Sequence, residues 1–189
     1  MKVLKWTAAI VVLLLLGYYF IGIPYFKEQT KKYSPQKTSV YTGDAFDLKV
    51  VYSSPFKKGR VIFGELVPYQ KVWRTGANEP TTFSTATDLT IEGKSLSAGT
   101  YSLWTEPKPE SWTVMFNDEI PDWGVTVSSR GQEASRDPGH DVLQVVVPIM
   151  HLDEPEESFT INFETVSGQL YMSLYWDTTK IRVPINHAP

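Results

Sequence analysis

An uncharged apolar segment near the N-terminus places the strongest limit on how this chain can fold. The segment WTAAIVVLLLLGYYFIGIPYF covers residues 6–26 and lies between Lys5 and Lys27. As an α-helix rising about 1.5 Å per residue it would extend roughly 31 Å, which matches the hydrocarbon core of a bilayer. Aromatic rings at both ends of the segment suit the headgroup region. The sequence therefore predicts a transmembrane helix, and a membrane is the first partner that we expect, through residues 6–26.

A cleaved secretory signal is the alternative interpretation of this segment. Such signals have a shorter apolar region and a small-x-small cleavage site, and no such site follows this segment. We therefore favour an uncleaved signal-anchor over residues 1–26. The lysines on the two sides do not by themselves determine the orientation. A short N-terminal end followed directly by the span is the layout of a signal-anchor, which places the rest of the chain outside the cytoplasm.

Composition excludes several classes of function. The chain has 189 residues with 18 basic and 21 acidic side chains, a formal net charge of −3, so no global field would attract nucleic acid. It has no cysteine, which rules out disulfides, thiolate metal sites and a cysteine nucleophile. About 150 residues follow the apolar segment, enough for one domain with a full hydrophobic core. We expect no nucleic-acid partner.

Apolar residues at alternate positions dominate the chain after the membrane segment. A polar tether is predicted over residues 27–43 and a β domain over residues 44–189. Turn residues separate eight or nine short strands, which predicts an all-β fold, an antiparallel β-sandwich or jelly roll. The strand DVLQVVVPI is apolar at successive positions, which is typical of a central strand covered on both faces. The residues predicted to point inward are Leu48, Val50, Tyr52, Leu89, Ile91, Trp112, Val114, Phe116, Phe159, Ile161, Phe163, Val166, Leu170, Met172, Leu174 and Trp176.

Catalytic and metal-binding motifs are missing from the sequence. There is no G-x-S-x-G, P-loop or G-x-G-x-x-G pattern, which removes the usual serine hydrolase, NTPase and dinucleotide classes. His140, His151 and His187 are far apart and form no H-x-H or H-E-x-x-H pair, so we predict no metal site and no cofactor. The acidic run HLDEPEES is broken by proline, and we interpret it as a solvated loop.

Five tryptophans of the domain allow two interpretations. Their flat faces could form a platform on which sugars stack. In a sandwich of this size most would instead belong to the core, which we favour for Trp112 and Trp176. Trp104 and Trp123 stand beside turn residues and are the more open candidates, and Trp73 is the fifth.

The most distinctive stretch is GRVIFGELVPYQKVWRTGANEPTTF, over residues 59–83. With SPQKTSVYTG upstream, and IEGKSLSAGTYSLWTEPKPESWTVMFN and DWG downstream, the chain resembles the bacterial family catalogued as domain of unknown function 2911. The resemblance runs from about residue 34 to the C-terminus. It implies an exported envelope protein with no established activity. We therefore expect a single-pass protein of the bacterial inner membrane with its C-terminal domain in the periplasm.

Two departures from the family pattern bear on a shared ligand. The resemblance implies an arginine before the proline that follows the first strand, where this chain has Ser54 before Pro55. It also implies a glycine at the position of Gln70. If that arginine serves a ligand common to the family, this member binds the ligand weakly or not at all.

The polar and aromatic residues of the distinctive stretch form the candidate site. In a structural interpretation the loop is a turn in which Gly76 permits a positive φ and Arg74 pairs with Glu65. In a binding interpretation two arginines hold an anionic group while aromatic rings stack beside it. In an enzyme interpretation Glu65 is a general acid or base and the arginines stabilise charge, as in an envelope hydrolase acting on glycan or peptide. The candidate binding residues are Arg60, Glu65, Tyr69, Trp73, Arg74 and Asn78.

Recognition fits these residue types better than catalysis, because nothing near them is an obvious nucleophile or metal ligand. We therefore predict no catalytic residue. We expect a non-catalytic binding or accessory-subunit module whose partner is an envelope protein, a peptide or a glycan. A purely structural role for the cluster is equally favoured, since arginine pairs often stabilise loops.

Overall fold

A computed structural model describes residues 2–43, 46–126 and 128–188. The predicted first residue of the β domain, at position 44, lies outside the described residues. The chain forms two compact units, Met1–Tyr33 and Ser34–Pro189.

The N-terminal unit is helical. It consists of α1 (Lys2–Gly17), a π-helical segment (Tyr18–Gly22) and α2 (Ile23–Lys31). An 18-residue window within Lys5–Lys31 has a mean hydropathy of 2.1, and this is the one helix of the described residues that is long and apolar enough to cross a membrane. A signal sequence near the N-terminus can also be long and apolar enough to meet this criterion. The predicted N-terminal apolar helix is thereby confirmed.

The C-terminal unit is built from antiparallel strands, which confirms the predicted all-β class. In the described residues the strands form one sheet of nine in the order β1-β2-β3-β6-β7-β8-β9-β4-β5. A 3₁₀ turn at Pro138–His140 precedes β8. The strands are β1 (Gln36–Gly43), β2 (Phe46–Ser53), β3 (Thr81–Thr85), β4 (Leu89–Ile91), β5 (Lys94–Leu96), β6 (Gly99–Pro107), β7 (Ser111–Asn117), β8 (Asp141–Val166) and β9 (Gln169–His187).

The sheet bends back on itself, so the two layers of the sandwich belong to one hydrogen-bonded sheet. β8 is 26 residues long, and its register against β9 shifts on both sides of Glu156. Aromatic rings close the fold between distant parts of the sheet. Tyr41 of β1 lies 6.1 Å from Phe163 of β8, and Phe46 of β2 stacks at 3.8 Å on His187 of β9.

The first strand lies in the segment where the sequence predicts a polar tether. Helix α2 continues to Lys31, and β1 pairs with β2 along Gln36–Gly43. Every second residue of β1 is exposed and the others are only partly buried. An edge strand with so little buried surface needs few apolar residues. Its sequence is therefore polar and does not show the alternation of apolar residues by which a strand is predicted.

Most of the residues predicted to point inward are buried. Phe163 is partly buried and packs against the core, and Val166 is also only partly buried. The prediction that DVLQVVVPI is covered on both faces is wrong. Leu143, Val145 and Val147 are buried, whereas Val142 and Val146 are 45% and 64% exposed. β-Branched side chains favour an extended backbone even on a face that is exposed to solvent. The apolar character of Val142 and Val146 was therefore not enough to predict that they are buried.

Candidate functional site

The distinctive stretch forms a loop that leads into β3, and Trp73 anchors this loop in the core. The Trp73 backbone exchanges hydrogen bonds with Thr105 of β6, at 2.7 and 3.0 Å. Its indole is 9% exposed, donates to the Gly76 carbonyl at 2.9 Å and stacks 6.2 Å from Trp176. Trp73 is therefore part of the core, and only a small fraction of its surface is exposed.

The backbone of the loop after Trp73 has several positive φ angles and is held in place by side-chain hydrogen bonds. Thr75 and Asn78 have φ angles of +55° and +60°, and Gly76 has +146°. The Thr75 hydroxyl contacts Thr105 Oγ1 at 3.1 Å, and the Thr81 hydroxyl donates to the Thr75 carbonyl at 2.5 Å. These contacts support the structural interpretation for the centre of the WRTGAN motif.

Arg74 does not fit that structural account. Its side chain is partly buried, and its Nε is inaccessible to solvent and has no hydrogen-bond partner. The side chain makes no ion pair with any described residue. The pairing of Arg74 with Glu65 that the structural interpretation requires is not formed. Burial lowers the pKa of Arg74. Partial burial of a cation whose Nε has no hydrogen-bond partner is unfavourable, which makes Arg74 the most unusual residue of the loop.

Asn78 joins this loop to the later DWG segment. Its backbone carbonyl accepts a hydrogen bond from Gly124 N at 3.0 Å. The side chain is 8% exposed, and its Nδ2 is buried without a hydrogen bond among the described residues. Two buried nitrogen groups with no hydrogen-bond partner, on Arg74 and Asn78, therefore lie in the same loop. Buried polar atoms are nearly always paired in native proteins, so such atoms call for an explanation.

A cavity of about 90 Å³ lies beside Arg74. Leu66, Val67, Pro68 and Val72 line it from one segment, and Val125 and Ala134, which form a β-bridge, line it from another. Its polar lining residues are Lys71, Arg74 and Gln132. A wider depression of about 390 Å³ shares some of these residues and adds Glu133, Arg136 and Pro138. The cavity and this depression are the candidate site.

Arg136 and Asp141 show how a buried charge of this domain is normally compensated. Arg136 forms a two-pronged ion pair with Asp141, with Nε 2.8 Å from Oδ1 and a second contact between Nη2 and Oδ2. Burial raises the pKa of Asp141, but hydrogen bonds from Arg136, Asn117 and Gln144 outweigh this and lower it. Arg136 is therefore neutralised, whereas Lys71 and Arg74 make no ion pair within the described part of the chain.

Four of the six predicted site residues lie apart from the cavity lining: Arg60, Glu65, Tyr69 and Asn78, which is described above. Arg60 is exposed and donates to the Phe56 and Lys57 carbonyls at 2.5 and 3.0 Å, so it closes its own turn. Glu65 is exposed, with no ion pair to either arginine among the described residues. Tyr69 is 39% exposed. Of the six predicted residues, Trp73 and Arg74 contribute to the cavity wall.

The opposite wall was missed by the sequence-based prediction. Val125, Gln132 and Ala134 come from the segment between β7 and β8, more than 50 residues after Arg74 in the chain. The DWG motif was the available signal. Gly124 of that motif lies where a side chain would collide with Arg74: a Cβ built there would be 2.8 Å from Arg74 Cβ and 2.9 Å from the Asn78 carbonyl oxygen.

Four of the five tryptophans of the domain are not exposed as a sugar-binding platform would require, and Trp123 is partly buried. Trp73, Trp104, Trp112 and Trp176 are buried, and the Trp104 indole donates to Ser102 Oγ at 2.7 Å. Trp104 was expected to be more open because it stands near turns, but it belongs to the long strand β6. These four rings are unavailable for stacking on a glycan.

An exposed cluster of Glu119, Asp137 and His140 has the geometry to hold a metal ion. Their ligand atoms lie within 4.8 Å of one another. His140 Nδ1 is 2.7 Å from Asp118 Oδ1, a hydrogen bond that raises the pKa of the imidazole. Since every residue of the cluster is exposed and Asp118 already engages the histidine, we assign no metal to it.

Comparison with known proteins gives one result. The family model described as Protein of unknown function (DUF2911) matches residues 34–185. Neither the curated proteins nor the solved structures contain a match. The matched range begins just before β1 and ends in β9, so it covers the C-terminal unit.

Proposed function

Since the chain belongs to the family described as Protein of unknown function (DUF2911), whose description gives no activity, we propose a function from the geometry of its own cavity. The β domain is a non-catalytic binding module. Its cavity binds an anionic group of an envelope partner, and Arg74 contacts that group. The N-terminal helix holds the module at the bacterial inner membrane, and the domain lies in the periplasm. The length and apolar character of Lys5–Lys31 support the attachment to a membrane.

The single observation that carries the proposal is the unpaired Arg74 guanidinium. Removing part of a cation from water is unfavourable, and folded proteins normally offset that cost with a carboxylate or with hydrogen bonds. Arg136 has such a partner in Asp141, and Arg74 has none among the described residues. An anionic ligand in the cavity would supply the missing interaction.

The cavity lining favours recognition over catalysis. Its residues are apolar apart from Lys71, Arg74 and Gln132, and they include no carboxylate, imidazole or hydroxyl group. General acid–base catalysis needs a titrating group within hydrogen-bond reach of the substrate. Glu65, the residue considered for that role, is exposed and makes no ion pair with Arg74 in the described part of the chain. The enzyme interpretation therefore has little support from this site.

A peptide or protein partner fits the site better than a glycan. Carbohydrate recognition commonly uses open aromatic faces, and Trp73, Trp104, Trp112 and Trp176 are buried in the core. The cavity instead combines apolar walls with cationic side chains, a combination that suits a side chain or chain end of a polypeptide. A purely architectural role remains the competing proposal, and the loop contacts of Trp73 and Thr75 support it.

Site-specific photo-crosslinking in the native membrane would test the proposal. A photo-crosslinking phenylalanine analogue replaces Leu66, a cavity residue that is 43% exposed. Val146, 64% exposed on β8 and absent from the cavity lining, receives the same analogue as a matched control. We expect an adduct at Leu66 that disappears in the Arg74→Met background, and none at Val146. An adduct that is insensitive to Arg74→Met, or no adduct at Leu66, would exclude the binding module.

A further inference from the structure

The charge in the inner cavity is unbalanced. Lys71 and Arg74 both line it and no acidic side chain does. An acidic side chain, that of Glu133, lines the wider outer depression instead. Arg136 is already neutralised by Asp141. A group that enters the inner cavity therefore meets two uncompensated cationic side chains, and an anion is the complementary ligand.

The size and walls of the cavity restrict the kind of anion. A volume of about 90 Å³ has room for several water molecules or one small terminal group. Leu66, Pro68 and Val72 line one side with apolar surface that offers no side-chain donor, and Pro68 also lacks a backbone N–H. A phosphate carries oxygen atoms on all sides and needs donors around it, so these walls would leave some of its oxygens unpaired.

A carboxylate places both oxygens at one end. It can accept two parallel hydrogen bonds from one guanidinium, while the carbon chain attached to it lies against apolar walls. We infer that the cavity beside Arg74 binds a carboxylate that carries a short apolar substituent. This inference rests on the proposed function, because it names the anionic group that the binding module receives. The carboxylate is either the C-terminus of a polypeptide or a free carboxylic acid.

Calorimetric titration of the full-length chain in detergent micelles tests the inference with matched probes. 3-Methylbutanoate carries the charge, and 3-methylbutanamide has nearly the same shape without it. A charged hydrogen-bonded pair predicts that the wild type binds the acid at least about tenfold more tightly than the amide. Arg74→Met should remove this preference. Lys71→Gln, at an exposed position where folding is not at risk, should reduce it several-fold.

Two further probes distinguish the source of the carboxylate. An N-acetylated tripeptide that ends in valine is compared with its C-terminally amidated form. Tighter binding of the free-acid peptide than of 3-methylbutanoate identifies a polypeptide C-terminus as the ligand, whereas the reverse order identifies a free carboxylic acid.

Equal affinity for acid and amide, or tighter binding of inorganic phosphate than of either acid, would overturn the inference. The comparison of acid with amide uses the wild type alone, so it does not depend on the folding of a variant. If the acid shows no preference while the Leu66 adduct still depends on Arg74, the binding module stands and the carboxylate assignment fails. If both experiments fail, the proposed function fails with it.

Discussion

The side chain of Arg74 lies directly against the backbone of Gly124, where a Cβ would be 2.8 Å from Arg74 Cβ and 2.9 Å from the Asn78 carbonyl oxygen. Gly124 also donates its N–H to that carbonyl at 3.0 Å. The absence of a side chain at position 124 therefore determines how closely the DWG segment can approach the loop, and with it the position of the Arg74 side chain.

Gly124→Ala should destabilise the domain by about 1–3 kcal/mol, because the added methyl group forces Arg74 and the two loops apart. Chemical denaturation of the purified chain measures this change. Gly43→Ala is the matched control, since a Cβ there would meet nothing nearer than 3.9 Å, and it should change stability by less than about 0.5 kcal/mol. Equal effects of the two substitutions would show that the close approach at Gly124 has no energetic consequence.

Arg74→Met should raise the free energy of unfolding by about 1–3 kcal/mol while it abolishes ligand binding. The substitution removes a partly buried charge that has no ion-pair partner among the described residues, and it keeps much of the apolar stem that contacts Gly124. Arg136→Met is the control, because it leaves the carboxylate of Asp141 without its ion-pair partner and should cost about 3 kcal/mol. Thermal unfolding of the two variants and the wild type tests whether Arg74→Met raises the stability and Arg136→Met lowers it. A destabilised Arg74→Met variant would mean that Arg74 has a structural role that its contacts do not reveal.

Gln70 stands where the family resemblance implies glycine, and its φ of +60° is the conformation in which glycine is favoured. Gln70→Gly should therefore alter stability by less than about 0.5 kcal/mol. Gln70→Val should cost about 1–2 kcal/mol more, because a β-branched side chain is strained at that φ. Denaturant titration of the pair measures the difference. Equal stabilities would indicate that the backbone at this position relaxes to a negative φ.

Glu164 should contribute to the acid sensitivity of the domain. Burial raises its pKa, but hydrogen bonds from Lys180, Ser173 and Arg182 outweigh burial and lower the pKa from 4.5 to about 2. A carboxyl group whose pKa is depressed by folding stabilises the native state above its unfolded pKa. That contribution is lost as the pH falls from about 4.5 to about 2.

Glu164→Gln should therefore reduce stability near pH 7 by about 1 kcal/mol, a small value because the group is partly exposed and solvent screens its ion pairs. The difference from the wild type should shrink below pH 4 and vanish near pH 2. Denaturation across this pH range, with an NMR titration of the Glu164 carboxyl carbon, checks both statements. A carboxyl titration near the ordinary glutamate value would contradict the assignment.

Local patterns in the sequence were enough to predict the class of the domain and most of its inward-facing residues. Alternation in β2 and β7 identified Leu48, Val50, Trp112 and Val114 as core, and all four are buried. The same reasoning failed for β1, whose edge position leaves it polar, and for the solvent face of β8. In both cases the burial of a segment depends on which other strands pack beside it. The sequence of the segment alone does not identify those strands.

The same distinction between local sequence and tertiary packing applies to the candidate site. The sequence by itself determined that the stretch around Arg74 is unusual, and that an apolar helix precedes an antiparallel β domain, because composition and periodicity are properties of neighbouring residues. Only the tertiary structure decided that Trp73 is core, that Glu65 does not pair with Arg74, and that Val125 and Ala134 complete the cavity. These relationships join segments far apart in the chain, and they arise from packing: Gly124 lets the DWG segment approach so closely that Arg74 is partly buried beside it.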